Sequence, residues 1–226
     1  MSLYKYNTLR ENESSYSDLA LKKSDRWQRK TDVTIQEFIE RCLAPMVNDS
    51  SIVLNITSER KSFDLSGSKM DHIDLFDLLN YHTGKTYNVI ICDRNIVSYF
   101  DPMMIFDEFQ KILQPQGLLV FTFENSNALE FLLKKEFNRM AVFTDANHDK
   151  QKEWHYSDSW INELLLLNNF EIIKKHKFHY IFSRTNKIQK NESKSRTIFE
   201  LDKLFRRIPF VRDLASKTII ICQKIG

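Results

Sequence analysis

Four aspartates and one histidine stand where apolar runs give way to polar residues, the positions from which a side chain reaches a ligand. Asp93 closes the apolar run Tyr87–Cys92, with Arg94 beside it as a neutralising neighbour. Asp64 follows Phe63 and precedes Ser66-Gly67, where an aspartate also serves simply to form a turn. Asp74 and Asp77 lie in DLFDLL, where an aspartate also caps a helix. His155, followed by Tyr156, is the candidate general base, because an imidazole titrates near working pH and can take a proton from a hydroxyl. The competing reading of His155 is a surface histidine. Phe205, Arg206, Arg207, Phe210 and Arg212 interleave bulk with charge. Such a segment suits an anionic membrane surface or a lipid-linked diphosphate, and equally a helix packed on a sheet.

Several chemistries are excluded. The sequence has no Gly-x-Ser-x-Gly elbow, no Gly-x-x-x-x-Gly-Lys phosphate loop, no zincin histidine pair and no kinase signature. Cys42, Cys92 and Cys222 are too far apart for a zinc knuckle and odd in number, which reads as buried thiols in a reducing compartment. His176 and His179 have no acids beside them, so no metal site is expected. The N-terminus lacks an apolar signal segment and no apolar run is long enough for a bilayer, so a cytoplasmic protein is expected.

These candidates need elements to hold them. SIVLNIT (Ser51–Thr57), YNVIIC (Tyr87–Cys92) and LLVFTF (Leu118–Phe123) are short, continuous apolar runs of buried strands, and SKTIIICQK (Ser216–Lys224) reads as a final strand. A second strand is expected over Ser62–Leu65, and another over Phe170–Lys174. Helical spacing appears from Asp32 to Leu43, with Thr34 and Glu37 as a capping box, over Phe100–Leu113, over Asn127–Met140, and over Ser157–Asn168 with Ser157 as N-cap. Pro115-Gln116-Gly117 is a turn, residues 141–155 read as a polar loop and residues 184–196 as a mobile one, and 198–214 has helix-like spacing. Alternation of buried strands with amphipathic helices predicts an α/β fold, a mainly parallel twisted sheet with helices on both faces and ligands at the carboxyl ends of its strands. Residues 1–30 form a lead-in, and residues 31–226 one domain with the basic segment 184–214 inserted before the last strand.

The stretch from Tyr87 to Phe123 resembles the heart of a class I S-adenosylmethionine-dependent methyltransferase. Asp101-Pro102 matches that family's Asp-Pro, Leu113-Gln114-Pro115-Gln116-Gly117 is close to its Leu-Lys-Pro-Gly-Gly turn, and Asn169-Phe170 stands for its Gly-Phe. The similarity spans roughly residues 50–226 and implies a Rossmann-like fold and S-adenosylmethionine as cofactor. The chain departs from the family at the first strand, where Asn55 replaces an acid and Thr57, Ser58 and Glu59 replace the Gly-x-Gly-x-Gly loop. Close backbone approach to a ligand is what those glycines permit. The short distance from Val53 to Val89 resembles a compact branch that modifies saccharides and cell-surface polymers. In that branch Asp64 would match the acid on the ribose hydroxyls, Asp74 the acid near the adenine amine and Leu75 the residue against the ring. Asn55, Thr57, Ser58 and Asp93 would complete the cofactor site.

The implied function is methyl transfer to a small hydroxyl-bearing acceptor, such as a lipid-linked sugar in surface-polysaccharide synthesis. The alternative from another class is a methyltransferase-like binding or scaffold protein that has lost its cofactor. Residues 174–226 carry fourteen Lys or Arg against four acids, a balance of +10 in a chain of net +3. That asymmetry points to peripheral contact with an anionic membrane; without a recognition motif it argues against nucleic acid.

Overall fold

The computed structural model describes residues 26–57, 63–65, 67–78, 84–93, 96–99, 101–132, 136–146, 151–178, 208 and 211–226. A mixed sheet forms the frame. Strands β1 (Ile52–Ile56), β2 (Lys69–Ile73), β3 (Tyr87–Cys92) and β4 (Leu113–Asn125) run parallel in the order β2-β1-β3-β4. Strand β8 (Lys217–Lys224) lies antiparallel against β4, and β7 (Phe170–Phe178) against β8. The expected neighbour relation of Ser51–Thr57 and Tyr87–Cys92 is present, with Val53 opposite Val89 and Ile56 opposite Cys92.

The pleat sends alternate residues to opposite faces, and each face has its own cover. Leu54, Ile56, Ile90, Cys92, Leu119 and Phe121 pack with Ile105, Phe106 and Phe109 of helix α3 (Pro102–Ile112) and with Ile161, Leu164 and Leu165 of α5 (Asp158–Leu167). Val53, Val89, Ile91, Val120, Ile219 and Ile221 pack with Ile35, Phe38, Ile39 and Leu43 of α1 (Arg26–Leu43). Burying one such side chain contributes about 1.5–3 kcal/mol relative to leaving it exposed. Phe63 and Leu65 join the α1 side from a segment without strand pairing.

Several expectations are corrected. Helix α1 starts at Arg26, inside the expected lead-in, so Thr34 and Glu37 lie within the helix and form no capping box at its start. The second strand is Lys69–Ile73, not Ser62–Leu65. Only Leu129–Leu132 (α4) is helical among the described residues of 127–140. Residues 141–155 hold an antiparallel hairpin, β5 (Ala141–Ala146) with β6 (Gln151–Tyr156), rather than a loop. Pro115-Gln116-Gly117 bulges within β4: the register jumps from Tyr87 opposite Leu113 to Val89 opposite Leu118, and Gln116 takes φ 63°. A Cβ on Gly117 would come within 2.8 Å of the Gln114 carbonyl oxygen, so the bulge requires glycine there. The segment 184–196 and most of 198–214 lie outside the described residues, apart from a 3-10 turn at Val211–Leu214.

Ser157 caps α5 as expected, its hydroxyl accepting from the Trp160 amide at 3.2 Å. Asn169, just past that helix, takes φ 56°, a conformation asparagine tolerates better than most residues.

Candidate functional site

Strands β2, β1 and β3 end level with one another, while β4 runs on to Asn125. Ile56 pairs with Ile73 on one side and Cys92 on the other, and Cys92 pairs with Phe121. The next residues along these strands are Asp74, Thr57, Asp93 and Thr122, so four polar side chains follow one another across four neighbouring strands. Three are buried: Thr57 at 7% exposure, Asp93 at 2% and Thr122 at 0%. Polar groups are costly to bury, and this row lies at the carboxyl ends of β2, β1 and β3 and, at Thr122, inside β4, where open α/β sheets hold their ligands at the strand ends. The edge lies where the chain order reverses around β1, with β2 on one side and β3 on the other.

Asp74 directly follows β2, half-buried, and its carbonyl accepts from the amides of Asp77 at 3.1 Å and Leu78 at 3.2 Å. It therefore starts α2 (Leu75–Leu78) while standing at the strand end, so capping and edge placement coincide. Leu75 is the first residue of that helix. Asp93 follows β3, and its charge, after burial, contributes to pushing the Cys92 thiol far above its ordinary range. Thr57 donates its amide to the Ile73 carbonyl at 3.2 Å, so the backbone donor at the first loop position is already engaged within the sheet. Asn55 sits inside β1, fully buried, with its side-chain amide 3.4 Å from His72 Nδ1. Ser58 lies outside the described residues.

Two expected site residues are elsewhere. Asp64 precedes β2 rather than following a strand; it is exposed, and its amide donates at 3.0 Å to Glu40 on α1. The strand it was expected to end is formed instead by Lys69–Ile73, which makes Asp74 the acid at the carboxyl end of the second strand. His155 is not in a loop over the cleft. It is fully buried in β6, opposite Glu124 of β4 and Val142 of β5, with the Phe131 ring 4.9 Å away. That environment is a packed satellite core, with Ala128, Phe131 and Val142.

The hairpin itself has no signal in the sequence that distinguished it from a loop. Only Glu124 and Asn125 of β4 pair with His155 and Tyr156 of β6, so the hairpin hangs from the carboxyl end of β4. The 3-10 turn Ile96–Tyr99 is tied to the same end, Ser98 Oγ accepting from the Glu124 amide at 3.3 Å. Tyr156 stacks on Trp160 at 4.9 Å between ring centres, and burial, followed by the charge of Asp101, pushes its hydroxyl far above the ordinary range. No group of three or more His, Cys, Asp or Glu side chains is placed to hold a metal among the described residues.

No family model and no curated protein sequence matches the chain. Solved structures do. A Burkholderia thailandensis 1,6-didemethyltoxoflavin-N1-methyltransferase, with its acceptor and S-adenosylhomocysteine bound, superposes with TM-score 0.60 over 100% of this chain and 92% of its own, at 11% identity. This is the class I S-adenosylmethionine-dependent methyltransferase fold. A Listeria monocytogenes protein described as a putative S-adenosylmethionine-dependent methyltransferase shares the fold at TM-score 0.51 and 12% identity, over 82% of this chain and 96% of its own. A Galdieria sulphuraria protein described as a putative sarcosine dimethylglycine methyltransferase does so at TM-score 0.51 and 12% identity, over 87% and 86%. At such identities the methyltransferase fold is what the chains share.

Proposed function

We propose that the protein binds S-adenosylmethionine across the carboxyl ends of β2, β1 and β3 and transfers its methyl group to a small hydroxyl-bearing acceptor. The observation that carries this is the row Asp74, Thr57, Asp93 and Thr122, with its buried acid, at the switch point of a methyltransferase fold. An acid beyond the second strand suits the ribose hydroxyls in nucleotide-binding sheets, and Asp74 has that place. S-adenosylhomocysteine, held by the Burkholderia enzyme, is the demethylated form of the same donor. A free or lipid-linked sugar in surface-polysaccharide synthesis is the acceptor suggested by the resemblance to the compact branch.

S-adenosylmethionine supplies the electrophilic methyl group. The protein's task is to orient donor and acceptor for in-line displacement and to keep water from the reacting atoms. Asp74 holds the nucleoside end, Asp93 faces the cationic end, and α2 and the β5–β6 hairpin flank the edge. No side chain is assigned as the base, since His155 is buried in the satellite core.

Calorimetry and thermal melting with S-adenosylmethionine test the cofactor. A ligand at 100 times its dissociation constant stabilises by about 2.7 kcal/mol, a visible melting shift. Incorporation of labelled methyl into a panel of sugars and lipid-linked sugars tests the acceptor. Absence of heat and of any melting shift at millimolar ligand overturns the cofactor. One observation favours a second reading, a binding protein without methyl transfer: the Thr57 amide is engaged by Ile73, and side chains stand where family members carry glycine. Absence of donor binding by a folded protein would select it.

A further inference from the structure

The position of the β5–β6 hairpin follows from the two edges of β4. Along Leu118–Phe121, β4 pairs with β3 on one edge and with β8 on the other. Glu124 pairs with Lys217 of β8 and with His155 of β6, so β6 occupies the β3 edge. Strand β3 ends with Cys92 opposite Phe121, and His155 enters opposite Glu124, three residues or about 10 Å further on. On its other edge β6 carries β5, as β3 carries β1. The hairpin therefore stands beyond the carboxyl ends of β3 and β1. We propose that this hairpin is the acceptor arm of the site and that the acceptor's sugar ring stacks on Trp154. This rests on the function proposed above and adds the residue that selects the acceptor.

The pleat decides which way Trp154 faces, because successive strand residues point to opposite faces. His155 goes to the Phe131 side and is fully buried. Trp154 lies on the other face with Tyr156, which is itself stacked on Trp160. That face belongs to the 3-10 turn Ile96–Tyr99 and the start of α3: Tyr156 shares a core with Val97, and the charge of Asp101, the N-cap of α3, acts on its hydroxyl. Counted back from His155 along β6, which runs parallel to β4, Trp154 comes level with Phe123, two residues beyond the level of Cys92. The indole is 38% exposed there, and Met103 and Met104, in the first turn of α3, are 50% and 38% exposed. An aromatic and two methionines left open on one side of a strand-end site make an apolar lip for a ligand.

A pyranose matches such a lip. Its faces carry C–H bonds and its rim carries the hydroxyls. A ring laid on the indole buries its apolar face and leaves a rim hydroxyl turned to the methyl donor. The indole is rigid and flat, so it orders a flat ligand at little entropic cost and with a defined tilt. An alkyl chain gains nearly as much from leucine as from tryptophan, whereas ring stacking needs an aromatic partner. The two kinds of ligand are therefore told apart by which replacements Trp154 tolerates.

The test follows labelled-methyl transfer from S-adenosylmethionine to methyl glycosides and octyl glycosides of a hexose panel, with donor binding measured by calorimetry. Trp154→Leu is expected to raise KM on the order of tenfold for both kinds of glycoside, with kcat and donor heat unchanged, and Trp154→Tyr to restore KM to within about threefold. In the unaltered protein a saturating methyl glycoside is expected to reduce acrylamide quenching of tryptophan emission, a reading that stands even where the leucine variant fails to fold. An unchanged KM in Trp154→Leu, or quenching indifferent to the glycoside, overturns the inference. A rise in KM confined to octyl glycosides assigns Trp154 to an apolar chain and also overturns it. Donor heat without transfer to any glycoside overturns the inference and leaves the cofactor reading in place. Absence of donor heat overturns both.

Discussion

Asp74 and Asp64 have the same side chain, and their surroundings separate them. Asp74 stands one residue beyond β2, level with Thr57 and Asp93. Asp64 lies before that strand begins, exposed, with its amide tied to Glu40 on α1. If Asp74 holds the ribose, Asp74→Ala loses a charged acceptor for the diol and should abolish the S-adenosylmethionine-induced melting shift. Asp64→Ala should keep that shift, and the reverse result would return the ribose to Asp64. His155 predicts a different outcome. Fully buried against Phe131, it fills volume, and His155→Ala should destabilise by about 2–4 kcal/mol through the cavity it leaves. Denaturant unfolding measures that loss, while donor affinity per folded molecule should be unchanged.

At the scale of elements, helix α5 and strand β7 are locked together by charge. Asp158, in the first turn of α5, sits 2.8 Å from Lys175 and 2.6 Å from Lys177, and Lys177 also meets Asp213 at 3.0 Å. Burial alone would raise the Asp158 carboxyl, but the charges of Lys175 and Lys177 outweigh it and hold it below its usual range. A carboxyl whose folded pKa is depressed contributes stability above its unfolded pKa, near 3.9, and loses it as pH falls through the folded value. Stability measured by urea unfolding should therefore fall below about pH 4, and Asp158→Asn should flatten that limb and cost about 2 kcal/mol at pH 7. Legibility in the sequence divides along the same elements. The strands buried on both faces, such as Val89–Cys92 and, apart from Asn55, Val53–Ile56, are written as apolar runs because neither face meets water. Strand β2 borders the sheet as described, with Lys69 and His72 exposed, and Asp71 bonds to Lys85 and to the Tyr87 hydroxyl. Its sequence KMDHI therefore shows no apolar run, while Phe63 and Leu65 look like a strand and serve as a patch under α1. The error over Asp64 follows from that exchange. The β5–β6 hairpin is hidden for a similar reason, since the sequence TDANHDKQKE shows no alternation of apolar with polar residues.

Over the whole molecule, net charge conceals where free charge remains. Of the fourteen basic residues in 174–226, Lys174, Lys175, Lys177, Lys217 and Lys224 lie in β7 and β8. All five are engaged within the fold, Lys174 over the Phe38 ring at 5.4 Å. Lys175 and Lys177 meet Asp158, Lys217 lies 3.8 Å from Glu124, and Lys224 donates to the carbonyls of Gln110 and Leu113 at the end of α3. Lys175, Lys177 and Lys224 hold the last two strands to the helices and Lys217 ties β8 to β4, so these cations are engaged at short range. The remaining positive charge is concentrated in the sequence from Arg184 to Arg212, which carries nine Lys or Arg against three acids. Juxtaposed basic residues attract anionic lipid by about 1 kcal/mol each near the surface, and the attraction is screened over about 8 Å at physiological salt. The protein should therefore float with phosphatidylserine vesicles at low salt and release as salt rises. Gln in place of Arg206, Arg207 and Arg212 should weaken flotation at low salt, whereas Lys175→Gln with Lys177→Gln should lower the melting temperature and leave flotation unchanged. Indifference of the unaltered protein to anionic vesicles at low salt would reduce the basic segment to a solvated face.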